Sequence, residues 1–156
     1  MKNGTVEERF WAKVNTTDGC WEWTACKTAE GYGRFLLESY DTHFAHRVSY
    51  ALANGLIPEG MVIDHICQNK ACVRPDHLRA TTNKQNLENL SGPRADNTSG
   101  IRGVSWSKQN KKWCAQVGHN GKRYYAGCYD ILEDAAEAVR NIRLDLHTHN
   151  ELDRAA

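Results

Sequence analysis

The chain has 156 residues, 40% of them hydrophobic and 25% charged, with a formal net charge of +1. That length holds one medium domain or two small ones, and the composition is ordinary for a soluble globular protein. No apolar run approaches the ~18 residues of a membrane span, and the N-terminus has no apolar export core, so a cytoplasmic location is expected and the cysteines read as thiols or metal ligands.

Taken in chain order, residues 6–14 form a short helix that can turn Phe10, Trp11 and Val14 toward a core. Short strands are expected at 20–24, where Trp21 and Trp23 alternate with polar residues, and at 31–37. Residues 43–54 read as a helix with Ala45, Val48 and Leu52 at helical spacing, stopped by Gly55 with Pro58 beyond. A β-like run at 61–66 leads into a cysteine loop, and 82–90 read as a helix capped by Thr82 with Gln85 reaching back. The Ser-, Gly-, Pro- and Asn-rich stretch 91–100 is a linker, dividing a module at 1–90 from a second at 101–150.

In the second module, strands are expected at 102–108, 111–117 and 122–129. Asn120-Gly121 joins the last two as a tight hairpin. A cap pattern, Asp130 with Glu133, opens a helix at 131–146 that lines Ala135, Val139, Ile142 and Leu146 along one stripe. Cys114 and Cys128 fall in strands and read as buried thiols. Arg102, Lys108, Lys111, Lys112, Lys122 and Arg123 share a stretch without an acid, while acidic residues dominate after Asp130. So polarised a module can grip phosphates despite a near-neutral total.

Cys67, Cys72 and His77 present thiolate and imidazole ligands within eleven residues, which suits a structural zinc. The fourth ligand must come from elsewhere: Cys20 first, Cys26 second, His46 a distant third. His65, two residues before Cys67, suits a general base that activates water, since its ordinary pKa lies near ~6.5. Phosphodiester hydrolysis also calls for charge stabilisation by a divalent ion. Mg²⁺ needs few protein ligands, and Asn86 on the following helix can anchor it, with Asn83 and Asn89 as competitors.

The pattern His65-x-Cys67-x4-Cys72-x4-His77-x8-Asn86 resembles the His-Cys box of homing endonucleases, a branch of the HNH or ββα-metal nucleases. The phrases RFWAKV, GCWEW, GYGRF, AHRVSYALANG, IPEGMVIDHIC and CVRPDHL resemble phage-encoded HNH endonucleases over about residues 8–90. The resemblance implies an α+β zinc-stabilised ββα-metal fold. It implies His65 as base, Asn86 as Mg²⁺ ligand, and zinc on Cys67, Cys72, His77 and an upstream cysteine. It further implies an arginine on the scissile phosphate, Arg47 ahead of Arg34. Other HNH enzymes hold the catalytic metal with the Asp of an Asp-His pair and a helix histidine; here Asn86 takes the helix position. Asp64 is thus a second Mg²⁺ ligand, or it only orients its neighbours or faces solvent.

The second module resembles an AP2 domain, three antiparallel strands on one helix. The resemblance rests on Ser99 to Val104, Lys112 to Val117, Asn120 to Asp130 and Glu133 to Ala138. It implies DNA contacts from Arg102, Lys112, Arg123 and Tyr125. Plant relatives carry further arginines where this chain has Ser105, Ser107 and Gly118, which implies milder base reading. The function expected is a metal-dependent, homing-like phage DNA endonuclease in the host-cell cytoplasm, with double-stranded DNA as partner and a homodimer as one arrangement on it. The rivals are a zinc-stabilised DNA-binding regulator that does not cut, and an RNA-directed protein.

Overall fold

The computed structural model describes residues 4–38, 41–90 and 92–155, the side chain of Glu38 excepted. Ser91, the first residue of the expected linker, lies outside that set. The chain divides into two compact units, Met1–Asn86 and Leu87–Ala156.

The first unit begins with α1, Val6–Trp11. Thr5 accepts from the Glu8 amide at 3.2 Å, and Glu8 Oε2 accepts from the Thr5 amide at 2.8 Å, so two otherwise orphaned donors are satisfied reciprocally. Three two-stranded antiparallel sheets follow. β1 (Val14–Asn15) pairs with β2 (Glu22–Trp23), and β3 (Arg34–Glu38) with β4 (Asp41–Phe44). β5 (Val62–His65) pairs with β6 (Leu78–Thr81). α2 (Ala45–Asn54) lies between the second and third sheets in sequence, and α3 (Asn83–Glu88) follows β6. The core is Phe10, Trp23, Phe35, Ala45, Val48 and Val73. Gly33 is required there, because an added Cβ would stand 2.6 Å from the Trp23 ring and 2.9 Å from the Ala45 methyl.

The expected helix at 43–54 starts two residues late. His43 and Phe44 instead belong to β4, held by pairing with Phe35 and Arg34. β6 had no strand signal of its own; its pairing with β5 creates it. The Thr82–Gln85 capping box forms as expected, with Gln85 Oε1 3.0 Å from the Thr82 amide and Thr82 Oγ1 3.3 Å from the Gln85 amide.

The second unit is a three-stranded antiparallel sheet, β7 (Val104–Ser107), β8 (Lys112–His119) and β9 (Lys122–Tyr129), packed by α4 (Leu132–Leu146) and closed by α5 (Glu151–Ala155). Val104, Ala115, Val117, Ala135 and Val139 form its core. Asn120 and Gly121 both have positive φ, 51° and 73°, the conformation a type I′ hairpin demands. Two expectations fail. Asp130 does not cap α4; the cap residue is Ile131 without a side-chain bond, and Asp130 pairs with Lys112 at 3.0 Å. Cys114 and Cys128 are not buried thiols; they face each other across β8 and β9 and are joined in a disulfide.

Candidate functional site

The ligand atoms of Cys20, Cys67, Cys72 and His77 all lie within 4.8 Å of one another. His77 closes a 3-10 turn, Pro75–His77, immediately before β6. Cys67 follows β5, where Gln68 takes a positive φ of 63° to turn the chain. Cys20 precedes β2 and Cys72 is fully buried. The His77 Nδ1 is 3.7 Å from Cys20 Sγ and 3.6 Å from Cys72 Sγ. A tetrahedral zinc with Zn–S of ~2.3 Å and Zn–N of ~2.05 Å has sulfur–nitrogen edges of about 3.6 Å. Donor set and spacing therefore both fit zinc. Cys26 is exposed and outside the cluster, so the loop before β2, not the one after it, completes the set. The Cys67 side chain hydrogen-bonds that of Cys72, which holds the Cys72 thiol well below its ordinary pKa and pushes Cys67 far up. The Arg74 amide donates to Cys72 Sγ at 3.5 Å, further favouring thiolate.

His65 ends β5 and is 7% exposed. Its Nε2 lies 3.1 Å from the Cys72 carbonyl oxygen. A carbonyl only accepts, so Nε2 carries the hydrogen and Nδ1 is the basic nitrogen of the neutral ring. Burial pushes its pKa down, and the Cys72 carbonyl, with the charges of Cys72 and Asp64, pulls part of the way back. An imidazole held neutral in one tautomer is ready to accept a proton.

Asp64, the preceding residue, is 5% exposed, and its Oδ2 accepts from Arg79 Nε at 3.0 Å. Arg79 stands directly opposite it on β6. Asn86 is half-buried on α3, Asn83 exposed and Asn89 buried. Arg47 is half-buried on α2 and Arg34 exposed on β3. His46 is 7% exposed, with its ring centroid 4.7 Å from that of His65. It is a neighbour of His65, not a member of the cysteine cluster. Sequence reading missed the rings around His65: Tyr32 is 6.1 Å from it, and Phe44 is stacked on His46 at 5.6 Å. Their sequence separations carry no local signal.

In the second unit, Arg123 and Tyr125 are exposed on β9 and Lys112 half-buried on β8. The Tyr125 hydroxyl reaches Cys128 Sγ at 2.7 Å. Arg102 differs: its guanidinium donates to the carbonyls of Leu87, Glu88 and Leu90 at 2.9–3.1 Å. Trp106 is 44% exposed while Trp113, 5.0 Å from it, packs on the core.

A family model described as HNH endonuclease matches residues 43–88. Protein 3.8 of Escherichia phage T7 is 39% identical over 102 residues, which cover 65% of this chain and 83% of that protein. The chain belongs to the family of phage T7 protein 3.8 and carries an HNH-type segment. Proteins 2.8 and 7.7 of the same phage are 35% and 36% identical over 76 and 73 residues, covering 48% and 47% of this chain. The chain spans about half the length of those two, 51% and 55%. No solved structure matches it significantly. For this member of the protein 3.8 family, the matched HNH segment contains Arg47, Asp64, His65, three cluster ligands and Asn86. Cys20 lies outside it, so the group of three cysteines and one histidine is closed by a residue the HNH segment does not supply. No helix among the described residues is long and apolar enough to cross a membrane.

Proposed function

We propose that this chain is a metal-dependent, homing-type DNA endonuclease. The observation that carries the reading is His65, its Nε2 held on the Cys72 carbonyl, within an HNH segment that supplies three of the four donors of a zinc-type cluster. His65 Nδ1 takes the proton of the attacking water. Arg47 contacts a non-bridging oxygen of the scissile phosphate. Oxygen donors suit Mg²⁺, and Asn86 with Asp64 would hold it; when bound, the ion supplies charge stabilisation at the phosphate and the leaving oxygen. Zinc on Cys20, Cys67, Cys72 and His77 is structural, since all four positions are filled by protein.

The second unit acts as an AP2-type duplex-binding sheet. Lys112 and Arg123 meet phosphates and Tyr125 offers an exposed aromatic face. Arg102, already engaged with three carbonyls, supports that unit from within.

The test is incubation of supercoiled plasmid with wild type and His65→Ala, with and without Mg²⁺. Mg²⁺-dependent nicking or linearisation by wild type, reduced ~10²-fold or more in the variant, is expected. Intact DNA binding without cleavage would replace the enzyme with a DNA-binding regulator.

A further inference from the structure

Resting on the nuclease reading, we propose that Phe44 is a substrate-contacting aromatic that takes an unstacked nucleotide beside the scissile phosphate. Phe44 is the N-cap residue of α2, with φ −67° and ψ 130°, and makes no side-chain cap bond. Ser, Thr, Asp or Asn at that position would satisfy a helix amide that Phe leaves without a cap. Its ring is also 43% exposed. A residue that leaves its helix uncapped and much of its surface in water breaks a local rule, and such departures gather at functional sites.

Its surroundings indicate the ligand. The Phe44 ring stacks on His46 at 5.6 Å and 27°, and His46 lies 4.7 Å from His65. Tyr32 touches all three rings, at 5.8, 5.6 and 6.1 Å. The Lys70 ammonium sits 5.5 Å above the Tyr32 ring. The rim of the base thus carries aromatic rings with the Lys70 ammonium over one of them and Arg34 opposite Phe44 on β3. A phosphate alone has no use for the ring, and a free apolar ligand has none for the ammonium. A nucleoside joined to its phosphate matches both, because every base presents a π-face and every linkage a charge. In duplex DNA the base is available only once its stack is opened, as with other inserted apolar side chains.

The experiment uses the full chain and short duplexes carrying a cleavage position mapped on plasmid, either fully paired or mismatched at the flanking nucleotide. On the paired duplex Phe44→Ala should raise KM roughly 5- to 150-fold, the loss of one base stack, with kcat within about threefold. Phe44→Trp should restore KM, and the loss should shrink on the mismatched duplex, whose stack is already open. Phe44→Ser, a good cap, should melt no lower than wild type while sharing the KM defect. Unchanged KM in Phe44→Ala, failure of Trp to rescue it, or a defect that follows lowered melting in the Ser variant would overturn the assignment. A wild type that cuts no DNA would sink the nuclease reading instead. The Phe44 assignment would then be decided by fluorescence-anisotropy affinities for the same two duplexes, where equal binding by wild type and Phe44→Ala overturns it.

Discussion

His65 Nε2 donates to the carbonyl of Cys72 at 3.1 Å, and Cys72 is itself one of the four cluster thiol and imidazole donors. The proposed base is therefore oriented by the backbone of a residue of the proposed zinc cluster. Loss of zinc would free the Cys72 loop and with it the tautomer and direction of His65. Stripping zinc with a chelator that leaves Mg²⁺ in excess should reduce cleavage on the order of 10²-fold or more, and zinc, not additional Mg²⁺, should restore it. Cys72→Ser should lose metal and near-ultraviolet circular dichroism together. Full activity in a zinc-free, folded protein would separate the two sites.

The Asp64–Arg79 pair separates a structural from a metal-binding carboxylate. Both side chains are largely buried, at 7% and 22% exposure, on directly opposed positions of β5 and β6. Arg79→Ala leaves a buried carboxylate without its guanidinium and should cost about 3–5 kcal/mol in urea unfolding. Asp64→Asn keeps the shape and removes the charge. If Asp64 also holds Mg²⁺, that variant should need roughly tenfold more Mg²⁺ for half-maximal cleavage; an unchanged Mg²⁺ titration leaves Asp64 with the Arg79 role alone.

How much of this was legible follows from the range of each interaction. The Thr82–Gln85 box and the Asn120-Gly121 turn are decided within a few residues, and sequence reading found both. β6 carries no local signal, because it exists only through β5, across the cysteine loop, and β4 is hidden because His43 and Phe44 also fit the start of the helix that follows. The cysteine spacing gave three cluster ligands and left Cys20 against Cys26, a choice set by the route of the chain before β2. The disulfide was hidden by one residue of register. Counting back from His119 opposite Lys122 would set Cys114 against Gly127. A bulge at Ala115/Gln116, where Gly127 has φ +119°, moves Cys128 into that place.

Two arginines of the second unit should part company. Arg102 is half-buried and holds three carbonyls, so Arg102→Ala should destabilise that unit by about 1–3 kcal/mol through unsatisfied acceptors. Arg123 is exposed on β9, so Arg123→Ala should leave melting unchanged, weaken duplex binding and reduce the salt slope of affinity by about one. Binding isotherms at several salt concentrations, beside thermal melts, measure both. Loss of stability in Arg123→Ala, or a pure binding defect in Arg102→Ala, would reverse the roles.

His46 predicts a pH dependence of opposite sign to the usual paired histidine. Burial, then the charges of His65 and Arg47, push its pKa down to about 3, and its Nδ1 is buried without a hydrogen-bond partner among the described residues. An unfolded histidine titrates near ~6.5. Between those values the unfolded chain binds a proton that the folded chain refuses. The stabilisation is complete above about pH 6.5 and declines as pH falls, by up to ~1.4 kcal/mol per unit. From pH 7 to pH 5 this single group should remove about 2 kcal/mol. His46→Phe keeps a ring against His65 and Phe44 and abolishes the titration. Its urea-unfolding free energy should therefore fall less than that of wild type between those pH values, by roughly the same 2 kcal/mol. Protonation of the cluster ligands contributes equally to both proteins and cancels in the difference. Equal losses in the two would mean that the folded protein accommodates a charged His46, with the ring turned to water rather than packed against the base.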